Sequence, residues 1–239
     1  MSENPRHLAE NEIFYDAKPI IFGEGFSKYQ NTFEGIFNFD TWLQERILAG
    51  KASSLVLDLM ADTTFLRELA ERANFLHKHS ISGIAIGLGD HRSRKDKTYD
   101  SRNGVYMLSS EVDRQKRRVI HVADISQEWI WRKLTREQVK RNLSKLFNLI
   151  VCRGAGGLEH YLDESYEVHL GIIKKALSLL SSDGILVTQL QTTDNDRLPL
   201  YAEEMQKMNF GCSYQRGSGI HDTVFDTSTG LPIAKIFHL

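Results

Sequence analysis

In the stretch LVLDLMADTTFLRELA, residues 55–70, an apolar run carries an acid at Asp58, breaks at a short turn and resumes at helical spacing. The turn holds a second acid, Asp62, and no glycine. Two more aspartates follow apolar runs, Asp90 after ISGIAIGLG and Asp124 after VIHVA. An ionised carboxylate only accepts hydrogen bonds, so acids in these places suit the hydroxyls, amines or ammonium of a ligand. Each also has a plainer reading. Asp62 can cap the helix that follows, where negative charge suits the dipole. Asp90 can be an ordinary polar turn residue, and Asp124 can shape the loop into SQEW.

The elements that must position these acids alternate along the chain. SSLVLDLM (53–60), ISGIAIGL (81–88), RVIHVAD (118–124), FNLIVCRG (147–154) and ILVTQL (185–190) read as strands. Strands this apolar are buried on both faces. Between them lie helical patterns. TFLRELAERANFLHK places Phe65, Leu66, Leu69, Ala70, Ala73 and Leu76 on one face, and DESYEVHLGIIKKALSLLSSDG reads as a long helix from about Asp163 to Gly184. LYAEEMQKMNFG is closed by Gly211. CSYQRG and PIAKIFHL end the chain as strands with no helix between them, so they are expected to pair antiparallel. The first fifty residues read as short helices, the clearest being FDTWLQERILAG, with Asp40 as N-cap, Gly50 past its end, and Trp42, Leu43, Ile47 and Leu48 on one face. This order predicts a doubly wound, mostly parallel α/β sheet with helices on both faces, whose ligands bind beyond the carboxyl ends of the strands.

Composition narrows the setting. The chain has 239 residues, 41% hydrophobic and 26% charged, with a formal net charge of −1. That is room for one sizeable α/β domain, and it gives no bulk electrostatic case for nucleic acid or a membrane surface. Two cysteines far apart, Cys152 and Cys212, make neither a disulfide framework nor a zinc pattern and point to a reducing compartment. The polar start MSENPRHLAENEIF lacks the apolar core of a secretory signal, and no apolar run is long enough to span a bilayer. A cytoplasmic protein is the expectation.

The ordered series of these segments resembles the class I S-adenosylmethionine-dependent methyltransferases. LVLDLMADTTFL stands where that family has a strand, an acid and a glycine-rich turn. VIHVADI stands where it has a strand ending in an acid near the adenine, and FNLIVCRG where it has its fourth strand. LSLLSSDGILVTQL matches the helix, turn and fifth strand, and MNFG with IAKIFHL the closing helix and strands. The resemblance covers roughly Ser53 to Leu239. It implies a Rossmann-like sheet of seven strands whose last is antiparallel and inserted near the edge. It divides the chain into an N-terminal helical cap (1–52) and a methyltransferase domain (53–239) with a basic insertion around 91–117. It implies a transferase with S-adenosylmethionine as cofactor.

The resemblance also assigns roles residue by residue. Asp58 matches the family's acid, which sets Met60, Asp62 and Thr64 where three glycines usually stand, with Ala61 between them. Side chains there narrow the floor of the site, since those glycines allow close backbone approach, but Asp62 can meet the ligand's ammonium or its ribose hydroxyls. Ala85 or Asp90 falls at the ribose position, Asp90 being the candidate. Asp124 accepts from the adenine amino group and Ile125 offers a backbone donor. Cys152 and Arg153 end the fourth strand at the ligand face. Cys152 has the plainer reading of a small core residue. In CRGAGGLEHYLDE, Arg153, Glu159, His160 and Tyr161 are best placed to meet a methyl acceptor. Holding the acceptor in line supplies much of the rate, and His160 as a base helps only where the acceptor must lose a proton. The alternative function is a catalytically inactive methyltransferase-like fold serving as a binding or scaffold protein, which the glycine-free turn favours.

The remaining features name no partner. HRSRKDKTYDSRNG and DRQKRR are basic and could touch phosphate, or form a solvated insertion whose charge the interleaved acids dilute. HKH at 77–79 reads as helix-end chemistry rather than a metal site. The methyl acceptor — small molecule, protein or RNA — is not written in the sequence.

Overall fold

A computed structural model describes residues 25–59, 64–87, 97–100, 105–108, 119–122, 125, 128–140, 146–153, 166–190, 192–217 and 231–239. Two short helices come first, α1 (Phe26–Phe33) and α2 (Phe39–Leu48). Then come β1 (Ser53–Leu59), α3 (Thr64–His77), β2 (Ser80–Gly87), β3 (Lys97–Asp100), β4 (Val105–Leu108) and β5 (Val119–Val122). The second half holds α4 (Glu128–Lys140), β6 (Phe147–Cys152), α5 (Tyr166–Leu177), β7 (Leu180–Gln189), a 3-10 turn (Thr192–Arg197), α6 (Leu198–Lys207), β8 (Phe210–Gln215) and β9 (Ile233–His238). No helix among the described residues is long and apolar enough to cross a membrane.

The strands form one mixed sheet in the order β3-β4-β5-β2-β1-β6-β7-β9-β8. Five of them, from β5 to β7, are mutually parallel. The last strand, β9, runs antiparallel between β7 and β8, as expected. Among the described residues the sheet has nine strands, where the resemblance implied seven. The extra pair, β3 and β4, lies within the stretch read as a basic insertion and continues the sheet antiparallel beyond β5. KTYD of β3 is polar and carries no apolar run, so periodicity gives no sign of it.

Alternation along the strands divides the core in two, because successive side chains point to opposite faces. Leu55, Leu57, Leu59, Ile84, Ile86, Ile150 and Cys152 pack with residues of α4, α5 and α6. Val56, Ala85, Leu149, Val151 and Val187 pack with α1, α2 and α3 on the other face. Helices therefore cover both faces. Gly83 lets α3 close down on β2, since a Cβ there would stand 2.9 Å from Leu66 and 3.2 Å from the Val56 carbonyl.

Three local expectations are corrected. The N-cap of α2 is Asn38, whose side chain accepts from the Thr41 N–H at 2.9 Å. Asp40 lies in the first turn and pairs with Arg72 of α3 instead. The buried face of α2 is Phe39, Trp42, Leu43 and Arg46, while Leu48 is 87% exposed. Arg46 is drawn inward by Asp183, at 2.6 Å. The helix expected to run to Gly184 stops at Leu177, and β7 begins at Leu180. Its would-be last turn is consumed by side-chain bonds from Ser181 and Asn148 to Asp183. Polar side chains that bond locally compete with helix in this way.

Candidate functional site

The carboxyl ends of β5, β2, β1 and β6 lie along one edge, where an open α/β sheet receives its ligand. Asp58 stands one residue before the end of β1, beside Ala85 on β2 and Val151 on β6. Its side chain is on the α1–α3 face and has no exposed surface. A buried carboxylate is costly unless hydrogen-bonded. The Tyr29 hydroxyl meets that need, lying 3.1 Å from each carboxylate oxygen.

Tyr29 is held from both sides. Phe65, in the first turn of α3, stacks on its ring at 4.0 Å and 6° between planes. That leaves no room for a second group on the same face, and the guanidinium carbon of Arg153 lies 5.3 Å from the ring centroid. Arg153 is the first residue beyond β6 and is 1% exposed. Its Nε donates to Thr32 Oγ1 at 2.7 Å, one turn along α1 from Tyr29. Helix α1 has only eight residues, too few to be stable alone. The aromatic stripe Phe26, Tyr29 and Phe33 docks it against the sheet face; at about 2 kcal/mol for each buried aromatic this packing holds it there.

Cys152 is fully buried and pairs in register with Thr188 on β7. Burial pushes its thiol up to about 12, and the nearby Asp58 charge acts in the same direction against a bond with Thr188. It stays a protonated thiol, which matches the core reading rather than a reactive one. Ile125 is 1% exposed, and its carbonyl accepts from Trp131 Nε1 at 2.8 Å, which fixes the turn after β5 to α4.

Of the residues expected at the site, the structure thus brings Asp58 and Arg153 together around Tyr29. Cys152 lies directly before Arg153, and Ile125 stands at the end of the neighbouring strands. Met60, Ala61, Asp62, Asp90, Asp124, Glu159, His160 and Tyr161 lie outside the described residues. Tyr29, Thr32 and Phe65 were missed. The 26/29/33 aromatic spacing marks a buried helix face in the sequence, but nothing there links Tyr29 to an acid 29 residues on. Among the described residues no three His, Cys, Asp or Glu side chains converge as a metal site. A separate cavity of about 280 Å³ lies between α2 and the β7–β9 pair, lined by Phe37, Trp42, Glu45, Ile185 and Lys235 among others.

No family model matches the chain, and no curated protein matches it. Solved structures do. A proposed class I S-adenosylmethionine-dependent methyltransferase from Listeria monocytogenes is 10% identical, with 87% of this chain and 59% of that chain covered and a TM-score of 0.48. Human methyltransferase-like protein 13, in complex with S-adenosylhomocysteine, is 12% identical over 89% of this chain and 81% of that one, with a TM-score of 0.41. A TehB-like S-adenosylmethionine-dependent methyltransferase from Corynebacterium glutamicum is 13% identical over 99% and 100%, with a TM-score of 0.41. The chain therefore spans about three-fifths of the length of the Listeria protein. Identities and overlaps this low leave the functional argument to the chain's own topology and residues.

Proposed function

We propose that the chain binds S-adenosylmethionine across the carboxyl ends of β5, β2, β1 and β6 and transfers its methyl group to an acceptor. The observation that carries this reading is the pairing of a strand order with an acid. Five parallel strands continue into an antiparallel β9 inserted before β8, and Asp58 is buried at the end of the central strand β1. That is the arrangement the sequence resemblance implies. Fold alone does not fix activity, so the donor set must also fit. A carboxylate and a guanidinium at adjacent strand ends, bridged by a phenol from α1, suit the ammonium and carboxylate of an amino-acid tail.

On this reading Asp124 and Ile125 hold the adenine, Asp90 the ribose, and Asp58, Met60, Ala61, Asp62, Cys152 and Arg153 surround the amino-acid end. Glu159, His160 and Tyr161 face the acceptor. The bound cofactor would supply a methyl carbon already activated by its sulfonium. The protein's part is then to hold the acceptor in line and exclude water. Asp124→Ala should weaken S-adenosylhomocysteine binding about tenfold, the loss of one charge-assisted hydrogen bond. Unchanged affinity in a folded variant removes Asp124 from the site.

The second reading, a non-catalytic relative that binds or scaffolds, is favoured by the glycine-free turn and by the Asp58 carboxylate already bonded to Tyr29. The two readings separate on whether the protein takes up the cofactor at all and, if it does, whether methyl groups leave it.

A further inference from the structure

We infer that Tyr29 is a positioning residue for the amino-acid end of the cofactor, acting through Asp58 and Arg153; this rests on the reading of the cleft as a cofactor site. The strands meet the cleft in the order β5, β2, β1, β6. Neighbouring strands lie about 4.8 Å apart, so three steps span roughly 14 Å. A nucleoside whose adenine lies at β5 and whose ribose lies at β2 lays its tail over β1 and β6. At those two ends the protein presents one anionic and one cationic side chain, Asp58 and Arg153. Both are almost wholly buried. Neither can swing freely to meet a ligand, so the tail's grip depends on what fixes them.

One side chain from α1 touches both. The Tyr29 hydroxyl lies 3.1 Å from both Asp58 oxygens, and the Tyr29 ring lies between Phe65 and the Arg153 guanidinium. Thr32 adds a second hold on Arg153 from the same helix, at 2.7 Å. Through Phe65 the stack also reaches the first turn of α3, directly after residues 60–63, which stand in the sequence where the resemblance sets a glycine-rich motif. The N-terminal helix thereby sets the side of the site that the missing glycines no longer shape.

The test is calorimetric titration of wild type, Tyr29→Phe and Thr32→Val with two probes. S-adenosylhomocysteine carries the amino-acid tail, and 5′-methylthioadenosine does not. Tyr29→Phe keeps the ring and its stack while removing the hydroxyl. It should weaken S-adenosylhomocysteine about tenfold and leave 5′-methylthioadenosine within about twofold. Thr32→Val, nearly isosteric, should shift the same preference in the same direction if Tyr29→Phe does not fold. Equal losses for both probes would mark a purely structural role, and no loss for either would remove Tyr29 from the site; both overturn the inference with the cofactor reading intact. A wild type that binds neither probe overturns the cofactor reading and this inference with it.

Discussion

Ser54 Oγ lies 2.9 Å from His79 Nε2, and His79 Nδ1 lies 3.0 Å from the Lys51 carbonyl. A carbonyl can only accept, so Nδ1 carries a proton, and in the neutral ring Nε2 then accepts from the serine hydroxyl. A serine with a base so oriented resembles an activated nucleophile. Its position argues otherwise. Ser54 and His79 are 3% and 2% exposed, at the amino ends of β1 and β2, opposite the ligand edge. Arg46 Nε donates to the same Ser54 oxygen at 3.2 Å. The pair belongs to a polar clamp in which Arg46 also reaches Asp183 at 2.6 Å, and Asn148 joins Asp183 to the Leu55 N–H.

Because the clamp lies at the far end of the sheet, it should govern stability and not ligand binding. Arg46→Met leaves a buried serine and a carboxylate short of a donor. The cost should be about 1–3 kcal/mol, read as a lower urea midpoint. Affinity for S-adenosylhomocysteine should stay within about twofold. A variant as stable as wild type would show that the clamp is ornamental.

The clamp also predicts an acid dependence. Burial opposes the charge on Asp183, but bonds from Ser181, Arg46 and Asn148 prevail and hold its carboxyl below the usual value. A lowered folded-state value means stability that is present above the unfolded value and lost as pH falls through the folded one. Unfolding free energy should therefore drop below about pH 4, and Asp183→Asn should flatten that limb. Asp183 is partly exposed, so the effect is a modest one. Identical acid limbs in the two proteins would contradict the assignment.

Neither thiol should be reactive in the folded protein. Burial pushes Cys152 up to about 12 and Cys212 up to about 11. At pH 8, iodoacetamide should label both only after denaturation, Cys152 being the better protected. Rapid native labelling of Cys152 would place it in an open, ionising environment.

Gly83 should tolerate no larger residue. A Cβ there meets Leu66 and the Val56 backbone oxygen, so Gly83→Val must push α3 off β2. Overpacking of this kind costs about 1–3 kcal/mol, measurable as a lowered melting temperature. An unchanged melting temperature would mean that α3 can ride outward freely.

Trp131 is predicted to tune the cofactor without touching it. Its indole N–H holds the Ile125 carbonyl at 2.8 Å, next to the acid proposed at the adenine. Trp131→Phe keeps most of the packing and frees that turn. S-adenosylhomocysteine should bind several-fold more weakly, while 5′-methylthioadenosine, which also carries the adenine, should weaken in parallel. An effect on one probe alone would assign Trp131 to a different part of the site.

How far the sequence went follows from what each residue answers to. The central strands of the doubly wound frame were legible because they carry apolar runs that only a two-sided core explains, as in FNLIVC, whose six residues are all buried. KTYD was not, because a polar edge strand rests on backbone pairing and leaves little pattern, and VYML, inside the sheet between β3 and β5, is only four residues long. The end of α5 was misplaced because SSDG reads as a helix stop, while Ser181 and Asp183 bond with Asn148, 33 and 35 residues away. Asp58 was legible as an acid in an apolar strand. Its partner was not, since Tyr29 looks like any aromatic on a short amphipathic helix until the chain folds it back over β1.

On the methyltransferase reading, a chain with no glycine at residues 60–64 still holds the cofactor at the ends of these strands. Calorimetric titration with S-adenosylmethionine and S-adenosylhomocysteine tests it most directly. Both should bind saturably at micromolar levels, about −8 kcal/mol. Absence of heat or competition up to millimolar ligand, with the protein folded, would contradict it and leave the non-catalytic relative as the reading.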